Sequence, residues 1–107
     1  MVERRHVQVA ESLAHLAGAY FARESNRQTL ITITRADMSP DYKNITIFFS
    51  VLPEAMEKNA LAFAKRSRSD FREYVKEHSA FQMIPTIDFE IDIGEKNRIR
   101  VDELTRK

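Results

Sequence analysis

Apolar and polar side chains alternate in two runs within residues 30–52, separated by Met38-Ser39-Pro40-Asp41-Tyr42-Lys43-Asn44. Ile31 and Ile33 alternate with Thr32 and Thr34, and Ile45, Ile47, Phe49 and Val51 alternate with Thr46, Phe48 and Ser50. Successive side chains leave a pleated strand on opposite sides, so period two marks a strand with one buried face. Two such runs joined by Ser, Pro, Asp and Asn predict a β-hairpin. In the first run the phase slips, because Ala36 and Met38 follow Ile33 while positions 35 and 37 hold Arg and Asp. One extra residue that shifts the phase is a β-bulge, expected near Thr34-Arg35.

The flanking segments carry a different period. Val9, Leu13, Leu16 and Tyr20 recur at helical spacing, with Ala10, Ala14 and Ala17 between them, which predicts an amphipathic helix over roughly residues 3–23. Gly18 inside it costs about 1 kcal/mol relative to alanine. After the hairpin, Pro53 fits a first helical position, and Glu54 and Glu57 suit the positive end of the helix dipole. The apolar face of that helix runs through Met56, Ala60, Phe63 and Ala64. Phe71, Tyr74 and Val75 continue at helical spacing but off a smooth stripe, so a bend falls between Arg66 and Asp70.

A last strand follows, with Ile87, Phe89, Ile91 and Ile93 alternating against Thr86, Asp88, Glu90 and Asp92. Pro85 marks its start and Gly94 its end. Residues 95–107 form a short charged tail with Ile99, Val101 and Leu104 as anchors. Each strand has one apolar face to cover, so the order αββααβ implies an α+β fold, a three-stranded sheet with helices packed on one face. That is the element order of the type II KH domain.

Composition narrows the class. At 107 residues, 1–107 is read as a single domain. The absence of cysteine excludes disulfides and thiolate metal sites. The N-terminal Glu3-Arg4-Arg5-His6 is no signal-peptide core, and no apolar run approaches the roughly 18 residues of a membrane span, so a cytoplasmic location is expected. The net charge of +1 is uninformative, but its distribution is not. Residues 64–76 hold Lys65, Arg66, Arg68, Arg72 and Lys76 against Asp70 and Glu73. Basic side chains at helical spacing can track a phosphate backbone, and a helix start at the bend would present free N–H groups. The bland alternative is a solvated helix face.

Catalysis finds little support. His6, His15 and His78 lack the spacing of helical metal pairs, and no phosphate loop or nucleophile elbow is present. No catalytic residue, metal or cofactor is expected. Asp88, Glu90 and Asp92 share one face of the last strand, where they would repel phosphate, and only Phe48 is available to stack on a base. Nucleic acid is therefore expected near the bend, not across the open sheet.

Several segments, taken in order, resemble the ribosome-binding factor A family of bacteria. They are Val9-Ala10-Glu11, Thr32-Ile33-Thr34 leading to Ser39-Pro40-Asp41, and residues 45–52 ending in Ser50-Val51-Leu52. Ile84-Pro85, a strand with Phe89, Asn97-Arg98-Ile99 and Asp102-Glu103-Leu104 continue the match. The resemblance implies a KH-like, non-catalytic assembly factor. It would bind small-subunit ribosomal RNA on the free small subunit and assist late maturation and rRNA processing, as a monomer with no membrane or DNA partner. It points to Lys65, Arg66, Ser67, Arg68, Ser69, Arg72 and Lys76 as the RNA-binding residues. Ordinary KH domains carry Gly-x-x-Gly at this junction, and the family has a kink of alanine, any residue and glycine. This chain has Ser67-Arg68-Ser69 there, with Ser69 a candidate cap for the following helix. It also has Gln8 where the family usually has arginine, and no basic residue within 79–83. Two other readings are a KH-like module for single-stranded or messenger RNA, and a protein-interaction domain that uses an exposed strand edge.

Overall fold

The computed structural model describes residues 4–24 and 29–94. A long helix, α1 (Arg4–Glu24), leads into a hairpin of β1 (Leu30–Met38) and β2 (Asn44–Leu52). A single 3-10 turn, Glu54–Met56, precedes α2 (Glu57–Arg66), which is followed at once by α3 (Arg68–His78) and then β3 (Thr86–Ile91). The sheet order is β1-β2-β3, with β1 antiparallel and β3 parallel to β2. The expected α+β arrangement is therefore present, and β1 and β3 are its two edges.

The predicted bulge is found where the phase slips. Ile33 pairs with Phe49 and Arg35 with Phe48, leaving Thr34 as the extra residue. The hairpin connection is tied by its own side chains. Ser39 Oγ donates to Asp41 Oδ1 at 2.6 Å and accepts from the Asn44 N–H at 3.0 Å, while the Lys43 N–H donates to Asp41 at 3.0 Å. These bonds hold the Asp41 carboxyl below its ordinary value, the Ser39 hydroxyl contributing most and the Lys43 N–H next. Tyr42 adopts a positive φ of 62° at the turn.

The core lies between the helices and one sheet face. Leu13, Ala17, Tyr20 and Phe21 of α1 meet Ile45, Ile47, Phe49 and Val51 of β2, Ala60 and Ala64 of α2, Phe71 and Val75 of α3, and Ile87 and Phe89 of β3. Phe89 stands edge-on to Phe21 at 5.1 Å and to Phe71 at 5.6 Å between ring centroids. One ring thus joins the last strand to both the first and third helices, the offset geometry that aromatic quadrupoles favour.

Three sequence expectations are corrected. Pro53 does not open a helix: it follows a cis peptide bond, has an extended ψ of 155°, and α2 begins four residues later after the 3-10 turn. The last strand stops at Ile91, so Ile93 is exposed instead of facing the core. Asp92 is buried, not on the solvent face with Asp88 and Glu90. It accepts from Thr34 Oγ1 at 2.5 Å and lies 3.5 Å from Arg35 Nε, the kind of pairing a buried carboxylate requires. The proposed tail anchors Ile99, Val101 and Leu104 lie outside the described residues.

Candidate nucleic-acid interface

The bend between α2 and α3 is a single residue, Ser67, with φ −87° and ψ 1°. Its N–H is shared between the carbonyls of Phe63 and Ala64 at 3.0 and 3.1 Å, its Oγ donates to Phe63 O at 2.8 Å, and its own carbonyl accepts the Phe71 N–H at 2.8 Å. Because φ is negative, the turn needs no glycine, which explains how a segment without glycine makes this junction. Ser67 itself, buried with its hydroxyl turned back into α2, shapes the bend. Ser69 is not the cap: α3 starts one residue before it, and the residue at the cap position is Ser67, with no side-chain capping bond.

The basic residues around this bend divide into two groups. Lys65 reaches past the β3 edge and donates to Glu90 Oε2 at 2.6 Å and Asp88 Oδ1 at 3.0 Å. The Glu90 hydrogen bond, opposed by partial burial and reinforced by Asp88, raises the Lys65 ammonium above its ordinary value. Burial alone would push Asp88 up, but the hydrogen bonds from Lys65 and the Phe89 N–H and the charges of Lys65 and Arg68 outweigh it, so the carboxyl lies below its ordinary value. Arg72 donates from one Nη to Pro85 O at 3.0 Å, fixing α3 to the segment that leads into β3. Lys65 and Arg72 are thus half-buried braces.

Arg66, Arg68, Ser69 and Lys76 are exposed. Arg66 has no ion-pair partner among the described residues. Arg68 donates through Nε to Lys65 O at 3.0 Å, which aims its guanidinium, and its Nη lies 3.3 Å from Asp88. Among the described residues Lys76 pairs with Glu73, one turn away at 3.1 Å, a surface contact of small worth. Lys58, exposed on α2, stands two helical steps of four before Arg66 and so shares its face. Reading the cations as one contiguous stretch missed it, although the i, i+4, i+8 spacing of Lys58, Ala62 and Arg66 was a usable signal.

The open sheet face is closed to stacking at Phe48. The Arg35 guanidinium carbon lies 3.8 Å from its ring centroid, held there by a 2.5 Å bond to Asp37. Asp88 and Glu90 remain on that face, each already paired with a cation. No group of three or more His, Cys, Asp or Glu side chains able to hold a metal is present among the described residues.

A mixed three-stranded sheet, with α2 and α3 joined at a one-residue bend and leading into the parallel edge strand, defines a KH-like domain. The chain belongs to the ribosome-binding factor A family, whose model matches residues 4–105. Among relatives, ribosome-binding factor A of Thermomicrobium roseum is 27% identical over 110 residues, covering 100% of this chain and 85% of the relative. That of Fervidobacterium nodosum is 30% identical over 78 residues, 72% of this chain and only 62% of the relative's length. The crystal structure of ribosome-binding factor A from Thermus thermophilus superimposes with a TM-score of 0.70 at 14% identity, covering 80% of this chain and 94% of that one. Coordinates of the Thermus thermophilus protein fitted into a cryo-EM map of a 30S–RbfA complex give a TM-score of 0.69 at 14% identity, covering 79% and 92%. Among the described residues no helix is long and apolar enough to cross a membrane.

Proposed function

We propose that this protein is a non-catalytic assembly factor that binds small-subunit ribosomal RNA on the free small subunit and assists its late maturation and rRNA processing. The family match over nearly the whole chain is the observation that carries this reading. The Thermus thermophilus neighbour fitted into a 30S complex supports the choice of subunit. On this reading residues 1–107 act as one KH-like domain, a cytoplasmic monomer, with the α2–α3 surface as the contact. Arg66, Arg68, Ser69 and Lys76 meet the phosphates, Lys58 extends the track, and Lys65, Ser67 and Arg72 hold the surface in shape. Binding of this kind assists maturation by favouring one RNA conformation over another, which requires no chemistry from the protein.

The pairing of Lys65 and Arg68 with Asp88 and Glu90 disfavours a simple single-stranded RNA module. A strand lying between α2 and β3 would have to displace these pairs and pass two carboxylates. Phosphates that approach the outer side of the bend meet Arg66 and Arg68 directly. Sedimentation of cell extract tests the proposal: the protein migrates with free small subunits at low salt and is released as salt rises. A protein that stays at the top of the gradient at every salt concentration, with no salt-dependent affinity for ribosomal RNA fragments, would refute it.

A further inference from the structure

Away from the bend, a cleft of about 1010 Å3 lies between the first half of α1 and the chain that leaves α3. Leu16 and Phe81, both half-buried, give it an apolar floor. Gln8, Glu11, Ser12 and His15 stand exposed along its α1 side, three and four residues apart and so on one stripe of the helix. Among the described residues no lysine or arginine lines it.

The α3 side of the cleft carries a ring that is already held in place. His78 stacks on Tyr74, with 3.9 Å between ring centroids and 24° between planes, and the Arg23 guanidinium lies 5.2 Å from the Tyr74 ring. His78 Nδ1 is 2.9 Å from Tyr74 O. A carbonyl only accepts, so Nδ1 carries the proton, and in the neutral ring Nε2 is left as an acceptor. Ser79 sets the next turn of chain: its Oγ donates to Val75 O at 2.7 Å and accepts the Phe81 N–H at 3.4 Å. Both rings that line the cleft are thus positioned before a ligand arrives, which lowers the ordering cost of binding.

These features select a ligand. An apolar floor beside a fixed imidazole suits a flat aromatic ring, and the polar stripe suits one with hydrogen-bonding edges. The two groups whose role is fixed, the Glu11 carboxylate and His78 Nε2, both accept, so the ligand must donate. Glu11 has no partner among the described residues. We propose that this cleft takes one unpaired nucleobase of the bound RNA, stacked on His78 with an exocyclic amino group donating to Glu11, so that cytosine is preferred over uracil. Stacking on side-chain rings and reading of base edges are the usual means of recognising unpaired RNA. The site presupposes the ribosomal-RNA reading and adds to its phosphate contacts one that senses the base. The phosphate itself stays outside, where Lys76 is exposed in the same last turn of α3.

The test uses the full chain with oligocytidylate and oligouridylate of about eight nucleotides, within the range one domain covers. Binding is measured across a salt series at about pH 8, where imidazoles are neutral. Wild type should prefer oligocytidylate, and Glu11→Ala should bring the ratio of the two affinities close to one. His78→Ala, at an exposed site, should weaken both oligomers at least about five-fold, since stacking is worth about 1–3 kcal/mol per base. Its salt slope should match wild type, because no phosphate contact is removed. His78→Phe keeps a ring and should retain most of the affinity. The proposal is overturned if His78→Ala binds as tightly as wild type, if its slope becomes shallower, or if the cytosine preference survives Glu11→Ala. Shifts of Gln8, Ser12 and Phe81 amides with a lysine-rich peptide but with neither oligomer would give the cleft to a protein segment and overturn it too. Equal binding of wild type and His78→Ala to free small subunits would remove the base site and leave the RNA reading standing. A wild type that binds no small subunits would remove both.

Discussion

The two edges of one small sheet are handled in opposite ways. The β3 edge is spanned by long side chains, with Lys65 and Arg68 meeting Asp88 and Glu90 and Arg72 holding Pro85, so α2 and α3 are locked to it. The side chains of β1 are tied instead to Asp92, by Thr34 and Arg35. The difference shows that the basic residues of a candidate RNA surface need not all serve RNA. Some set the geometry from which others project, and the count of charges in a stretch overstates the charge available to phosphate.

The largest expected effect tests the anchor of the braced edge. Phe89→Ala removes the ring that β3 shares with Phe21 and Phe71, and should destabilise the fold by about 3–5 kcal/mol in denaturant unfolding. A loss under about 1 kcal/mol would show that β3 is held by its charges instead.

Next comes a change in the unusual direction. Asp88→Asn with Glu90→Gln frees Lys65 and Arg68 from their acidic partners. RNA-fragment affinity should rise and its salt dependence steepen, by up to about one unit of log–log slope per phosphate gained. Stability should change little, because these pairs are more than a third exposed and are worth about 0.2–1 kcal/mol. Unchanged affinity would mean that neither cation reaches RNA.

Smaller still is the substitution Gly18→Ala. A Cβ there would lie 3.9 Å from Ile33 Cγ1, an ordinary contact, so alanine should stabilise α1 by up to about 1 kcal/mol. Destabilisation would show that the α1–β1 spacing is tighter than this geometry.

The smallest effect is the pH dependence of the β3 braces. Asp88 has a lowered carboxyl, so its contribution is present above the ordinary value of 3.8 and is lost as pH falls through the lower folded value. Lys65 is raised, so its share is present below 10.5 and is lost as pH rises through the higher folded value. Between those limits the stability difference between wild type and Lys65→Met should be flat. A difference that varied around neutrality would assign the effect to other groups.

Much of the fold was legible because its determinants are local or periodic. The bulge at Thr34 followed from a phase slip within one strand, and the Ser39–Asp41 ties span only a few residues. What the sequence left hidden depends on distant parts of the chain. Alternation placed Asp88 and Glu90 on one face but could not show Lys65 coming around the edge to meet them. Asp92 continued the same alternation, yet the strand ends before it, and its partner Thr34 lies 58 residues away. Ser69 was the candidate cap by residue type. Backbone geometry decides for a break at Ser67, with no side-chain cap. Arg72, grouped in the sequence with the phosphate-binding cations, is half-buried and donates to Pro85 O, 13 residues away.

The central claim is that exposed cations at the α2–α3 bend hold the protein on small-subunit ribosomal RNA. Binding of wild type and of Arg66→Glu with Arg68→Glu to purified free small subunits, measured across a salt series, tests it most directly. The account predicts weaker binding of the variant at low salt, a slope shallower by about two units, and a nearly unchanged unfolding midpoint. Equal affinity and equal slope for the two proteins would contradict it.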